Sequence, residues 1–414
     1  MQLLSAADKT IKCEDWIYEE NIKTPIFYEK TGEFDEMFNP PVVSLNQPFP
    51  LQLEFDDITT QTQSYYYRVI PCDRDWNPAN LLDSEFLKEF INDYLITTYI
   101  MSFNTRTKYV HYKFQLPRVK LSGNYLVTVY KNGDPYDVVL SRRFIVYENK
   151  ISISPNVRIS MGVEERLTHQ QVDFSISYGG YPYIFNPIQE VKVVLRQNNR
   201  WDNAITTLKP LYVKESDKIL DYNFFELENN FAGGKEFRMF DCRKIRSNSI
   251  NIDKIDITAS DVDVYIMQER SREDRGYTFN FDANGRFVVA NNEVGGAYGD
   301  PDYVNVHFDL KLKQMPFGNV YVLGYFNDWK ADPKYMLQYN SDSESYKAKI
   351  LLKMGYYNYI YAVKGAKDTK LDELALEGSS YQTENLYEII VYHRPIGARS
   401  DMIIGYYSVK YNGN

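Results

Sequence analysis

Apolar residues in this chain recur at every second position in short runs, and hardly anywhere at the 3.6-residue period of a helix. The stretch PFPLQLEFDD (48–57) sets Leu51, Leu53 and Phe55 against polar neighbours. The runs SYYYRVIP, YVHYKFQLP, NYLVTVY and RRFIVYE follow within the next hundred residues. Successive strand side chains point to opposite faces, so a period of two marks a strand with one face buried. Many such runs, each bounded by turn residues, predict β-sandwiches. Asn132-Gly133, between NYLVTVY and DVVLSRRFIVY, predicts a tight hairpin because both residues tolerate positive φ.

The runs fall into three sets. The first ends near Glu148. A second begins at ISISPNVRIS (151–160), continues through QVDFSISY, EVKVVLRQ, KPLYVKE and ITASDVDVYIMQ, and includes a predicted hairpin in YTFNFDANGRFVVAN (277–291) turning at Asn284-Gly285. A third runs from Tyr303 to the end. The stretch NNEVGGAYGDPD (291–302) reads as a linker. The sequence therefore predicts an all-β protein with three domains: an N-terminal sandwich over 1–149, a central one over 150–299 and a C-terminal one over 300–414. The one helical signal is DSEFLKEFINDYL (83–95), where Phe86, Leu87, Phe90, Ile91 and Tyr94 would share a face, capped by Asp83 or Ser84.

Thirty-seven tyrosines stand against four histidines and three cysteines. Tyr brings strand propensity and amphipathic contact area. His and Cys bring most acid–base, nucleophilic and metal chemistry. The balance favours contact over catalysis. A net charge of −9 argues against a general nucleic-acid binder, which would carry a basic stripe. No apolar run is long enough for a membrane helix, which needs about 18 residues. The N-terminal residues MQLLSAADKTIKCEDW show no signal peptide, which leaves a cytosolic protein or a processed form. Cys13, Cys72 and Cys242 form no zinc pattern and no disulfide framework; one bridge is possible without an assignable pairing.

No motif assembles a reaction or holds a cofactor. Asp253, Asp256, Asp261 and Asp263 lack the spacing, central glycine and closing glutamate of a calcium loop. His111 and His307 lie in strand runs and His169 and His393 in loops, each alone, and GxSxG is absent. FAGGKEFRMFDCRKIRS (231–247) pairs Gly233-Gly234 with a basic cluster, Arg243, Lys244 and Arg246. It is not a phosphate loop, so it reads as a turn with a solvated basic edge or a charged surface for a partner.

In the third set, a strand leads into Gly324-Tyr325-Phe326-Asn327-Asp328-Trp329, and Gly355-Tyr356-Tyr357-Asn358-Tyr359 precedes another strand. This resembles the early-set immunoglobulin-like module of glycogen-binding type over about 70 residues. The resemblance implies that Tyr325, Phe326, Trp329, Tyr357 and Tyr359 either stack on a glycan or pack the sandwich. The stretches YYYRVIPCDRDWNPA (65–79), SFNTRTKYVHYKFQLP (102–117) and GGKEFRMFDCRK extend a likeness over essentially the whole chain. The chain is similar to a Bacteroidota family of periplasmic multi-β-sandwich proteins that includes the plug subunit of the type 9 secretion translocon. That resemblance implies tandem immunoglobulin-like or fibronectin-like sandwiches with little helix. It implies no enzymatic activity, no cofactor, a periplasmic place at the outer membrane with a signal absent from these residues, and a large outer-membrane β-barrel as partner. Its function would be to close the periplasmic end of that barrel when no substrate is in transit. The alternative is a periplasmic or surface glycan-binding protein using the last module.

Overall fold

The structure, a computed structural model, describes residues 9–47, 50–89, 91–247, 249–293 and 299–413. Its architecture is all-β. The first sandwich has one sheet in the order Trp16–Ile17, Val138–Tyr147, Gly123–Lys131, Tyr65–Cys72, Tyr94–Leu95, with Val42–Ser44 beside Val138–Tyr147. The facing sheet runs Ile22–Glu29, Leu51–Asp57, Val110–Gln115, Tyr99–Met101. The predicted hairpin is present: Val138–Tyr147 pairs antiparallel with Gly123–Lys131, and Asn132 and Gly133 turn at φ 53° and 75°.

Leu51, Leu53 and Phe55 lie in this sandwich's core, as their alternation predicts. The intervening residues do not face water. Gln52, Glu54 and Asp56 are buried as well, because another domain covers that face. The helix predicted over 83–95 is only one turn, Asp83–Phe86. Phe86 and Leu87 are then fully buried at the end of the sandwich, and Leu87 bridges to Val119. The Asn92 side chain bonds both the N–H and the C=O of Val69, each at 2.9 Å. Those bonds hold the chain extended, so tertiary contacts override local helical preference. Phe90 lies outside the described residues.

The sheets do not respect a boundary at 299. The second sandwich packs Ser152–Ile159, His169–Ser177, Ile219–Asp221, Tyr212–Lys214 and Asn230–Ala232 against a sheet of Val191–Gln197, Asn385–His393 and Met402–Tyr411. Its core joins Val172, Phe174 and Leu195 to Tyr387, Ile389 and Ile404. The last two strands, expected in the C-terminal sandwich, complete the central one. The third domain is inserted between them. Its ten-stranded sheet runs Arg238–Asp241, Gly355–Lys364, Asn319–Leu323, Met336–Asn340, Ser345–Lys353, Tyr303–Lys311, Val262–Ile266, Ile252–Ile257, with Glu269–Arg270 beside Tyr303–Lys311 and Phe287–Val289 beside Gly355–Lys364. Strands before 299 therefore pair with strands after it: Arg238–Asp241 with Gly355–Lys364, and Val262–Ile266, in parallel, with Tyr303–Lys311. The intended linker lies partly outside the described residues.

Asn284-Gly285 turns at φ 50° and 82°, but it does not close the predicted hairpin. Phe287–Val289 pairs with Gly355–Lys364 instead of with 277–281. A Cβ on Gly285 would meet the Trp329 ring at 2.5 Å, so this glycine serves close packing as well as the turn.

The chain enters and leaves the inserted domain side by side. Ser380 N donates to Gly234 O at 2.8 Å, Thr383 Oγ1 to the same oxygen at 2.8 Å, and Asn385 Nδ2 to Gly233 O at 2.8 Å. A Cβ at Gly233 would sit 2.0 Å from Ser380 O, so only glycine permits this approach.

About half of the tyrosines are core residues. Tyr125 and Tyr357 are buried, and each hydroxyl donates to the carbonyl four residues earlier, Leu121 O at 2.7 Å and Lys353 O at 2.6 Å. Such bonds let a large ring fill a sandwich while its polar tip stays satisfied.

Candidate functional site

The residues singled out in the sequence do not form one site. Trp329 is 6% exposed, with the Arg200 guanidinium 3.9 Å over its ring and Phe237 at 5.7 Å. Tyr357 is stacked between Phe240 and Phe287, 5.1 and 5.2 Å away. Tyr359 is buried, and its hydroxyl donates to Glu269. Phe326 is half-buried edge-on to Tyr335 and Tyr357, and Arg286 covers the Tyr325 ring at 4.7 Å. These aromatics are core and junction residues; their ring faces are already in use, which a stacked sugar would need free. Of the basic cluster, Arg243 pairs with Asp241 at 2.6 Å, and Lys244 and Arg246 are exposed on the third domain, far in sequence from the other candidates. Among the described residues, no group of three or more His, Cys, Asp or Glu is placed to hold a metal. Asp263 instead pairs with His307 at 2.6 Å and Lys349 at 3.1 Å.

The groups that the structure does bring together sit where the domains meet. Between the first and third domains, Asp56 is 1% exposed. It accepts from Lys353 Nζ and Tyr303 Oη at 2.6 Å each, and meets His111 Nδ1 at 2.8 Å. His111 Nε2 lies 3.3 Å from Glu54, which also accepts from Tyr28 Oη at 2.8 Å. Two carboxylates face one ammonium and one imidazole. Burial would lower the His111 pKa, but hydrogen bonds to Asp56 and Glu54 outweigh it and raise it to about 9. Burial likewise opposes ionisation of Glu54, yet the His111 contact holds it down at about 2. The histidine is therefore charged at neutral pH and the junction is a closed ion network. Beside it, Asp302 accepts from the backbone N–H of Arg106 at 2.7 Å and of Thr107 at 3.1 Å.

The other two junctions are as closely knit. Trp76 of the first domain meets Trp201 of the second edge to face at 4.9 Å, with Arg143 over the Trp76 ring at 4.4 Å. Tyr392 Oη donates to Asn124 at 2.9 Å, and Tyr147 stacks on Tyr406 at 4.7 Å. All three domains meet at Arg286, which is 6% exposed. It donates to Asn39 O of the first domain at 3.3 Å and to Asn199 Oδ1 of the second at 3.4 Å. Arg142 reaches Asp328 at 3.3 Å close by. A buried arginine engaged on two neighbouring domains resists their separation, because parting them would leave its charge without partners.

Sequence reasoning missed one surface. Residues 94–103, Tyr-Leu-Ile-Thr-Thr-Tyr-Ile-Met-Ser-Phe, contain no charge. They run along one margin of the first sandwich: Tyr94–Leu95 is the outer strand of one sheet and Tyr99–Met101 the outer strand of the other. Leu95, Tyr99, Ile100, Met101 and Phe103 are all exposed, by 47 to 69%. Edge strands are normally blunted by charge, proline or a covering element. An uncharged, β-prone decapeptide was the available signal, but it straddled the end of the helix predicted over 83–95 and the start of the stretch 102–117.

Comparison with known proteins bears on this same domain. Residues 22–148 match the family described as the first domain of the type 9 secretion system plug protein. Among solved structures, a protein from Parabacteroides merdae ATCC 43184 superposes with a TM-score of 0.89 at 29% identity, covering 97% of this chain and 100% of that one. No curated protein matches the chain. A superposition of that quality over the whole chain requires the three domains to be arranged alike as well as folded alike. Residues 22–148 are thus similar to the first domain of the type 9 secretion system plug protein, within an all-β architecture that the whole chain shares with the Parabacteroides merdae protein.

Proposed function

We propose that the chain is a non-enzymatic gating subunit that closes the periplasmic end of the type 9 secretion outer-membrane barrel when no substrate is in transit. The family match over 22–148 carries the reading. The geometry suits it. A pore wide enough for folded cargo needs an obstruction that does not deform, and the three domains are tied pairwise by buried ion pairs and aromatic contacts. The exposed margin from Leu95 to Phe103 lies in the matched domain and is the proposed contact with the barrel. An edge strand offers unpaired backbone groups along with apolar side chains, and so suits a partner's strand or rim. Such a protein acts in the periplasm, held at the outer membrane by its partner.

Purification of the tagged chain from its native host tests this. Recovery of a large outer-membrane β-barrel protein is expected, and recovery of the chain alone would count heavily against the reading. Ile100→Asp with Met101→Asp, both at exposed positions, should lower the recovered partner at least tenfold while leaving the unfolding midpoint unchanged.

A further inference from the structure

Cys13 and Cys72 lie on the outer face of the first sandwich's larger sheet. In the strand Tyr65–Cys72, Tyr65, Tyr67 and Val69 point into the sandwich core, so Ile70 and Cys72 point away from it. Leu126, paired with Ile70, shares that outer face, and Trp76 packs there with Cys72. The segment before the first strand crosses this face and lays Ile11 and Cys13 on the same cluster. Its backbone is pinned at and just after Cys13. Ser141 Oγ donates to Glu14 O at 2.8 Å, and Arg143 donates through Nε to Cys13 O at 2.8 Å. The two thiols thus share one packed cluster, where Cys72 Sγ donates to Ile70 O at 3.7 Å, with the Arg143 charge beside them.

We propose that Cys13 and Cys72 are a redox-active pair that closes to a disulfide, clamping the N-terminal segment onto the sheet where the first domain meets Trp201 of the second. The two sulfurs are unequal, which sets the order of events. The interaction with Cys72, and then the Arg143 charge, bring the half-buried Cys13 thiol down to about 7 against the opposing effect of burial. The buried Cys72 thiol is pushed up. Cys13 thiolate is the attacking group. It attacks one sulfur of a donor disulfide, whose S–S bond breaks and releases one thiol. Cys72 then gives up its proton and attacks Cys13 Sγ, releasing the donor's second thiol. Two electrons and two protons pass from the protein to the donor. Cys242, fully buried in the third domain with its thiol pushed up to about 12, takes no part.

The test uses the purified full chain with excess oxidised glutathione as donor, then alkylation in denaturant and peptide mass mapping. Two of the three alkylation sites should be lost. The peptides carrying Cys13 and Cys72 should appear joined, lighter by two hydrogens than their sum, while Cys242 is alkylated. Cys72→Ser should stop at a glutathione adduct on Cys13, and Cys13→Ser should leave Cys72 largely unmodified. A wild-type chain that keeps the Cys13 adduct, or in which Cys13 and Cys72 both alkylate, overturns the proposal. Native-state protection of Cys242 from alkylation shows that each variant is folded.

Discussion

The first and second domains are both two-sheet sandwiches, but one is continuous in sequence and the other is split by about 140 residues of a third domain. In the first, every strand lies within residues 16–147, and one of its two longest pairings is a hairpin through Asn132-Gly133. In the second, Val191–Gln197 finds its partner in Asn385–His393. Both cores are built from buried apolar side chains of two facing sheets. The difference is where the chain pays loop-closure entropy before it gains contacts. A continuous sandwich can form from neighbours. A split one needs the insert to hold its two halves together, and this chain meets that need with the double crossing at Gly233–Gly234 and Ser380.

The largest expected effect comes from removing the distant half. A chain ending at residue 384 lacks Tyr387, Ile389, Val391 and Ile404 from the second core. It should lose cooperative unfolding of the second sandwich and aggregate, while a fragment of residues 9–148 still unfolds in one transition by circular dichroism. Equal behaviour of the two would erase the distinction between the domains.

A second experiment asks how independent the continuous domain is. His111 gains its raised pKa only when folded, so its stabilisation is complete below about 6.5 and is lost as pH rises through about 9. At about 1.4 kcal/mol per unit, and discounting for partial exposure, the full chain should lose roughly 2–3 kcal/mol across that window. His111→Ala should flatten this slope in chemical-denaturation titrations. In the 9–148 fragment, Glu54 and Asp56 regain water, and the slope should shrink. An undiminished slope in the fragment would mean that the third domain contributes nothing to the network.

The smallest effect probes the crossing itself. Gly233→Ala drives a methyl into Ser380 O and should cost about 1–3 kcal/mol, the usual range for overpacking. The loss should fall on the second domain's transition and spare the first. An unchanged midpoint would show that the crossing is compliant.

How much was legible follows the same divide. The alternation of Leu51, Leu53 and Phe55 placed a strand and its core face correctly, and Asn132-Gly133 placed a hairpin. Asn284-Gly285 carried the same local signal but turned the chain toward a strand seventy residues away, because Trp329 packs on the glycine. Trp329 and Tyr357 looked like possible ligand contacts; burial by Arg200, Phe240 and Phe287 made them core. His111 and Asp56 gave no sign of each other as sequence, being 55 residues apart on adjacent strands and completed by Lys353.

What the sequence by itself determined is the fold class: period-two patterning and turn residues act over a few positions, and local sterics and hydrogen bonding settle them. The sequence also carried the likeness of residues 22–148 to the first domain of the type 9 secretion system plug protein. Only the tertiary structure decided which halves share a sandwich, which polar faces are buried and which margin stays bare. Those outcomes depend on contacts between residues far apart in the chain, whose energies exist only once the sheets have met.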